Sequence, residues 1–198
     1  MAKRIQSPVD IGYVLDGSQS MQPYFTAVKE FALSYFVEKT SSSNVSNVGV
    51  VLSTADPILA IPMSPPSPKS KFIQAFDGMK YPGKAGRLDK ALKMAGSSLF
   101  KEDSSVSGIL VIVTDGVQME QREAVFEEAR ALHLRGISVY VVGVGDYDYD
   151  ALRRLASGEE RVRLISNVEE LKSTSFVREI AESTIGTSGL CPIISWSQ

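Results

Sequence analysis

The sequence holds one cysteine, Cys191, so it has no internal disulfide. In a secreted protein a leftover thiol points to a partner outside the segment, whereas the plain alternative is a surface thiol. One histidine, His133, leaves no material for a histidine-rich metal centre. It sits late in an amphipathic helical pattern, and no Ser-His-Asp set can be assembled around it at the strand ends. No apolar run is long enough to span a membrane, which excludes membrane insertion. Residues Met1 to Asp10 also lack the apolar stretch of a secretory signal. Charge of one sign is missing too. The net charge is -2 and the basic residues are scattered, so no nucleic-acid partner is expected. What remains is ordinary globular composition, 43% hydrophobic and 22% charged over 198 residues, which fits one large domain better than two.

The chain alternates apolar runs with amphipathic stretches. Val9 to Leu15, Val48 to Leu52, Gly108 to Val113, Ile137 to Val144 and Val162 to Ile165 read as strands buried on both faces. Ile58 to Ile61, followed by Pro62, reads as a short edge strand. Helical stripes run through Val28, Phe31, Ala32, Tyr35 and Phe36, through Leu88 to Leu99, and through Val125 to Leu132 up to Gly136. A short helix is expected over Ala151 to Ala156, and a C-terminal one over Phe176 to Thr184. Pro62 to Lys71 carries four prolines and is expected to be an irregular surface loop. The alternation predicts an α/β fold with a doubly wound, mostly parallel sheet, one short antiparallel edge strand and helices on both faces. The predicted domain is 8–186, with a tail over 187–198.

In such sheets ligands bind at the carboxyl ends of the strands. The first strand ends in Asp16-Gly17-Ser18-Gln19-Ser20, and the fourth in Thr114-Asp115-Gly116. Asp16, Ser18 and Ser20 alternate, so three small oxygen ligands can point to one side of the loop. Asp115 leaves a neighbouring strand in the same direction. Two carboxylates and two hydroxyls suit a hard cation, Mg²⁺ first, with Mn²⁺ or Ca²⁺ as alternatives. The absence of nearby cysteine or histidine argues against zinc or copper. Taken alone, the first-strand pattern is also that of a helix cap or turn.

Several other patterns fail on inspection. Asp146-Tyr147-Asp148-Tyr149-Asp150 opens like a calcium loop but has Ala151 and Ser157 where glycine and an acid are needed. A helix cap explains those aspartates better. Gly83-Lys84-Ala85-Gly86-Arg87 is not followed by the lysine-hydroxyl pair of a P-loop. Gly143-Val144-Gly145 lacks the third glycine of a dinucleotide fingerprint.

The run Val9-Asp10-Ile11-Gly12-Tyr13-Val14-Leu15-Asp16-Gly17-Ser18-Gln19-Ser20-Met21 resembles the opening of a von Willebrand factor type A domain, also called an integrin I-type domain. Ile112 to Gly116, Val141 to Gly145 and Asn167 to Leu171 match the same family in the expected order. The resemblance implies a metal-ion-dependent adhesion site (MIDAS) with Asp16, Ser18, Ser20 and Asp115 as its metal positions. It also implies a C-terminal helix that slides when affinity switches. One departure stands out. The family supplies a threonine from the loop before the helix of Ala91-Leu92, in a pattern like Gly-Gly-Thr-Asn-x-Gly-x-Ala-Leu. Here the loop reads Lys84-Ala85-Gly86-Arg87-Leu88-Asp89, with Gly86 at the threonine position. A hydroxyl ligand is therefore missing from that loop unless water or a shifted loop replaces it. Lys80, Lys84 and Arg87 come close to the site, and Lys84, Gly86 and Arg87 are candidates to contact an acidic ligand.

The resemblance is to matrix-type members. It implies a secreted, extracellular-matrix adhesion domain, part of a longer chain, that binds collagen or another matrix protein and is not an enzyme. Asn44-Val45-Ser46 is a glycosylation sequon compatible with that setting. The rival readings are an intracellular scaffold of the same fold and, last, a metal-dependent phosphoryl-transfer enzyme. The enzyme would need a second acid at the first strand end, and Gly17 and Ser18 stand there instead.

Overall fold

The computed structural model describes residues 8–42, 45–83, 85–102 and 104–171. Asn44, Lys84, Cys191 and the expected helix over Phe176 to Thr184 lie outside the described residues.

Six strands form one sheet in the order β3-β2-β1-β4-β5-β6. They are β1 (Val9–Asp16), β2 (Val45–Ser53), β3 (Ile58–Ser64), β4 (Ser107–Thr114), β5 (Ser138–Val144) and β6 (Val162–Ile165). All neighbours pair parallel except β2 and β3, which form an antiparallel edge. The helices are α1 (Phe25–Ser42), α2 (Lys69–Gly78), α3 (Leu88–Ser98), α4 (Arg122–Leu134), α5 (Tyr149–Leu155) and α6 (Val168–Leu171). The expected doubly wound sheet is present.

Period-two alternation divides the side chains of the central strands between two cores. Ile11, Tyr13 and Leu15 of β1 face the core packed by α1, α2 and Leu171. Val14 faces the other core, under α3, α4 and α5. With both faces covered, β1 from Ile11 to Leu15 and β4 from Gly108 to Val113 read as unbroken apolar runs rather than alternating ones.

One expectation fails. Pro62 to Lys71 is not all loop, because β3 continues through Pro62 to Ser64 and α2 begins at Lys69. The prolines cluster where helix is impossible, but Pro68 is the N-terminal cap residue of α2, a position that needs no N–H donor. Phe72 and Phe76, four residues apart, bury the helix's inner face. Phe72 stacks on Phe36, with centroids 5.0 Å apart, and Phe76 meets the Tyr13 ring edge-on at 6.3 Å. Lys29 of α1 donates to the carbonyls of Phe76 and Met79, which closes the C-terminal end of α2. No helix among the described residues is long and apolar enough to cross a membrane.

Candidate metal-ion site

The strand order reverses direction at β1. From β1 the chain winds outward through β2, then returns to β4 on the other side. The carboxyl ends of β1 and β4 therefore form the crevice where a doubly wound sheet accepts a ligand. The registers place Asp16 beside Ser53 of β2, and Leu15 beside Val113 of β4. Thr114 is thus the next residue on the far side of Asp16. In-register residues on neighbouring strands project to the same face. Ser53, Asp16 and Thr114 consequently form one polar row across three strands, with exposures of 0%, 5% and 0%.

The loop after Asp16 turns at once. Gly17 donates its N–H to the Ser53 carbonyl at 2.9 Å. A β-carbon at Gly17 would lie 2.4 Å from Pro82 Cγ, so only glycine fits under the loop that crosses there. Ser18 N–H donates to Asp16 Oδ1 at 2.8 Å, and the Ser18 and Ser20 hydroxyls are 3.1 Å apart. Thr114 Oγ1 donates to Asp16 Oδ2 at 2.6 Å, which fixes the other carboxylate oxygen. The Tyr81 hydroxyl donates to the Ser18 carbonyl at 2.9 Å and ties the loop from behind.

Asp16, Ser18, Ser20 and Asp115 all line one open cleft of about 220 Å³. Ser53, Gly86, Gln118, Gln121 and Asp146 contribute to its walls. The four residues singled out in the sequence are therefore brought together. Ser53, Thr114 and Tyr81 join them, although the sequence reading does not single them out as site residues. Ser53 had a readable signal, since it directly follows the apolar run Val48 to Leu52 in the way that Asp16 follows Leu15. Tyr81 had none.

Electrostatics favour a cation here. Burial pushes the Asp16 carboxyl pKa up, hydrogen bonds from Thr114 and Ser18 pull it down, and the charge of Asp115 raises it again. Among the described residues, neither aspartate forms an ion pair and no lysine or arginine lines the cleft. No group of three or more His, Cys, Asp or Glu side chains gathers among the described residues, so a metal here would rely on hydroxyls and water beside two carboxylates. That donor set fits a hard divalent ion that keeps part of its hydration shell.

The loop that carries Gly86 closes tightly on this arrangement. Arg87 N–H donates to the Thr54 carbonyl, and Gln121 Nε2 to the Gly86 carbonyl at 3.0 Å. A β-carbon at position 86 would sit 3.1 Å from both Asp16 Oδ1 and Ser18 Cβ. A threonine would press on the first loop, and glycine lets the backbone itself approach. Arg87 does not line the cleft. Its Nε and NH2 groups grip the two carboxylate oxygens of Asp89 at 2.8 and 2.6 Å. We therefore expect Arg87→Ala to leave divalent-ion affinity unchanged. A clear loss, measured by titration calorimetry, would show that Arg87 reaches the site.

The features set aside in the sequence have ordinary structural roles. Asp148 caps α5 by accepting from Ala151 N–H and pairs with Arg122. The His133 Nε2 lies 3.0 Å from the Leu155 carbonyl, and its burial lowers its pKa.

The von Willebrand factor type A domain model matches residues 10–179. The chain belongs to the von Willebrand factor type A domain family. Its type A relatives include matrix proteins. The collagen alpha-1(XXI) chain of Homo sapiens is 27% identical, over 94% of this chain and 19% of that protein. The collagen alpha-5(VI) chain of Homo sapiens is 32% identical, over 86% of this chain and 7% of that protein. The chain thus spans less than a quarter of these two relatives. Among solved type A folds, proximal thread matrix protein 1 from the mussel byssus superposes with a TM-score of 0.77 at 20% identity. The match covers 91% of this chain and 46% of that one, and that structure has a zinc-occupied MIDAS motif.

Proposed function

We propose that this domain is an extracellular, non-enzymatic binding module. It engages an acidic group of a matrix protein, collagen or another, through a divalent cation held by Asp16, Ser18, Ser20 and Asp115. The observation that carries this reading is the buried Asp16 carboxylate, which has a second aspartate beside it and no cationic partner among the described residues. An arrangement of that kind is costly unless a cation compensates it. Mg²⁺ matches the oxygen set, with Mn²⁺ or Ca²⁺ as substitutes. Zinc belongs in the comparison, because the mussel protein's motif accepts it. An ion held by these four residues would have coordination positions left for a carboxylate from a partner. Kinship with collagens supports both the matrix partner and the extracellular setting. A phosphoryl-transfer reading is disfavoured by the lack of a phosphate-gripping lysine or arginine in the cleft among the described residues.

The test is binding of the chain to immobilised collagens and other matrix proteins in Mg²⁺, repeated after chelation. Saturable binding that disappears with chelator and returns with Mg²⁺ is the expected result. Binding indifferent to chelator would remove the metal from the account, and no binding to any matrix protein would remove the partner.

A further inference from the structure

We propose that the Ser53 hydroxyl replaces the missing loop threonine by holding a water of the bound ion's shell. This inference rests on the metal-site reading above and adds a residue to it.

Three observations converge on Ser53. It is the in-register neighbour of Asp16 on β2, so its side chain projects to the same face. It is fully buried yet lines the cleft beside Gly86, its Oγ 3.7 Å from where a β-carbon at position 86 would stand. Its Oγ is also one of the few buried polar atoms that has no hydrogen-bond partner among the described residues.

Buried hydroxyls are almost always satisfied, and an orphan in a native fold calls for an explanation such as an ordered water or ion. The two hydroxyls that flank Asp16 differ in this respect. Thr114 on β4 donates to Asp16 Oδ2 and accepts from the Gly116 N–H. Ser53 on β2 has neither. Ser53 stands one strand away from Asp16, as Thr114 does on the other side, but it makes no direct bond to the carboxylate, so its hydroxyl is left for a water. Gly86 leaves that space free of side chain. The Ser53 hydroxyl can accept from the water or donate to it, so it tolerates whichever orientation the ion imposes. Hydroxyls in this outer role orient the groups that touch the metal, and their loss weakens metal affinity by about 10- to 100-fold.

The experiment is calorimetric titration of Mg²⁺ into the wild-type chain and its Ser53→Ala, Ser53→Cys and Asp16→Ala variants, with melting curves of each in chelator. Ser53→Ala is expected to weaken Mg²⁺ binding about tenfold. Its metal-free melting temperature should be unchanged or raised, because an unsatisfied buried hydroxyl has been removed. Ser53→Cys fills the same space but bonds water poorly, so its affinity should fall as well. Mg²⁺ affinity near wild type in Ser53→Ala, with Asp16→Ala inactive, overturns the Ser53 role and leaves the metal site standing. Affinity restored by cysteine also overturns it, since packing would then explain the alanine result. If wild type binds no Mg²⁺, or Asp16→Ala binds as well as wild type, the metal-site reading itself fails and this inference with it.

Discussion

Asp16→Asn is expected to abolish Mg²⁺ binding while making the metal-free domain more resistant to heat. The two effects share one cause. Asp16 is 5% exposed, lies near the Asp115 charge and has no basic partner among the described residues. Asparagine keeps the size and removes the charge. It still accepts the Ser18 N–H through its carbonyl oxygen. Its amide group then faces Thr114, whose hydroxyl can turn to donate to the Gly116 carbonyl 2.9 Å away. The polar row survives, and the ion loses a carboxylate, a change that exceeds the roughly 100-fold cost of losing an outer partner.

The pH dependence has a definite sign. Because burial raises the Asp16 pKa in the fold, the folded chain holds this proton more tightly than the unfolded chain. The associated stability is present below the unfolded pKa and is lost as pH rises through the folded one. In chelator at neutral pH the variant should therefore melt above wild type, and the gap should close as the solution is made acidic. Added Mg²⁺ should reverse the order. At about 100 times its dissociation constant an ion stabilises the wild type by about 2.7 kcal/mol and the variant not at all. Scanning calorimetry in chelator and in Mg²⁺ checks all three statements. A variant that melts well below wild type without metal would mean that the Asp16 charge is compensated within the fold.

Phe76→Ala should be strongly destabilising, costing about 3–5 kcal/mol. Phe76 is 1% exposed and sits between the Tyr13 ring and Phe36. Nothing nearby can collapse into the space, because Tyr13 and Phe36 are themselves locked among other rings. Total stability of a domain is about 5–15 kcal/mol, so this loss is a large part of it. Urea titration measures it directly. Ile73, on the same helix but 38% exposed, provides the contrast, and its alanine variant should fall within about 0.5 kcal/mol of wild type. Equal losses at both positions would mean that α2 does not pack by its Phe72–Phe76 face.

That helix also shows where the sequence stops being legible. β1, β4 and β5 are evident because strands buried on both faces must be continuously apolar. α3 and α4 are evident because each lays a long stripe on the sheet. α2 offers Phe72 and Phe76 as its buried positions, and four preceding prolines obscure them. Its helical state is decided by the aromatic pocket beneath it, which a local pattern does not contain. The site divides in the same way. Asp16, Ser18, Ser20 and Asp115 follow apolar runs and stand in a recognisable spacing. Ser53 belongs beside them through the β1–β2 register, and Tyr81 through a loop that packs from 63 residues away. Gly86 was visible as an oddity, but its meaning depends on the 3.1 Å that separates a missing β-carbon from Asp16. Arg87 is a candidate ligand contact from its loop position, and its pairing with Asp89 is legible only in the fold.

The strand order has a mechanical consequence for the cleft. β1 and β4 are interior strands, each hydrogen-bonded along both edges, so their ends breathe only when much of the sheet comes apart. Asp16 and Thr114 hang from that fixed frame. Ser20 sits in a single short helical turn, and the loop through Gly86 and Arg87 is held by isolated bonds such as Arg87 N–H to the Thr54 carbonyl and Gln121 Nε2 to the Gly86 carbonyl, so these parts open at lower cost than the strand ends. The cleft is thus a vice with one immobile jaw and one pliant jaw. A ligand entering it would meet a preset carboxylate on one side and, on the other, a backbone that glycine lets come close.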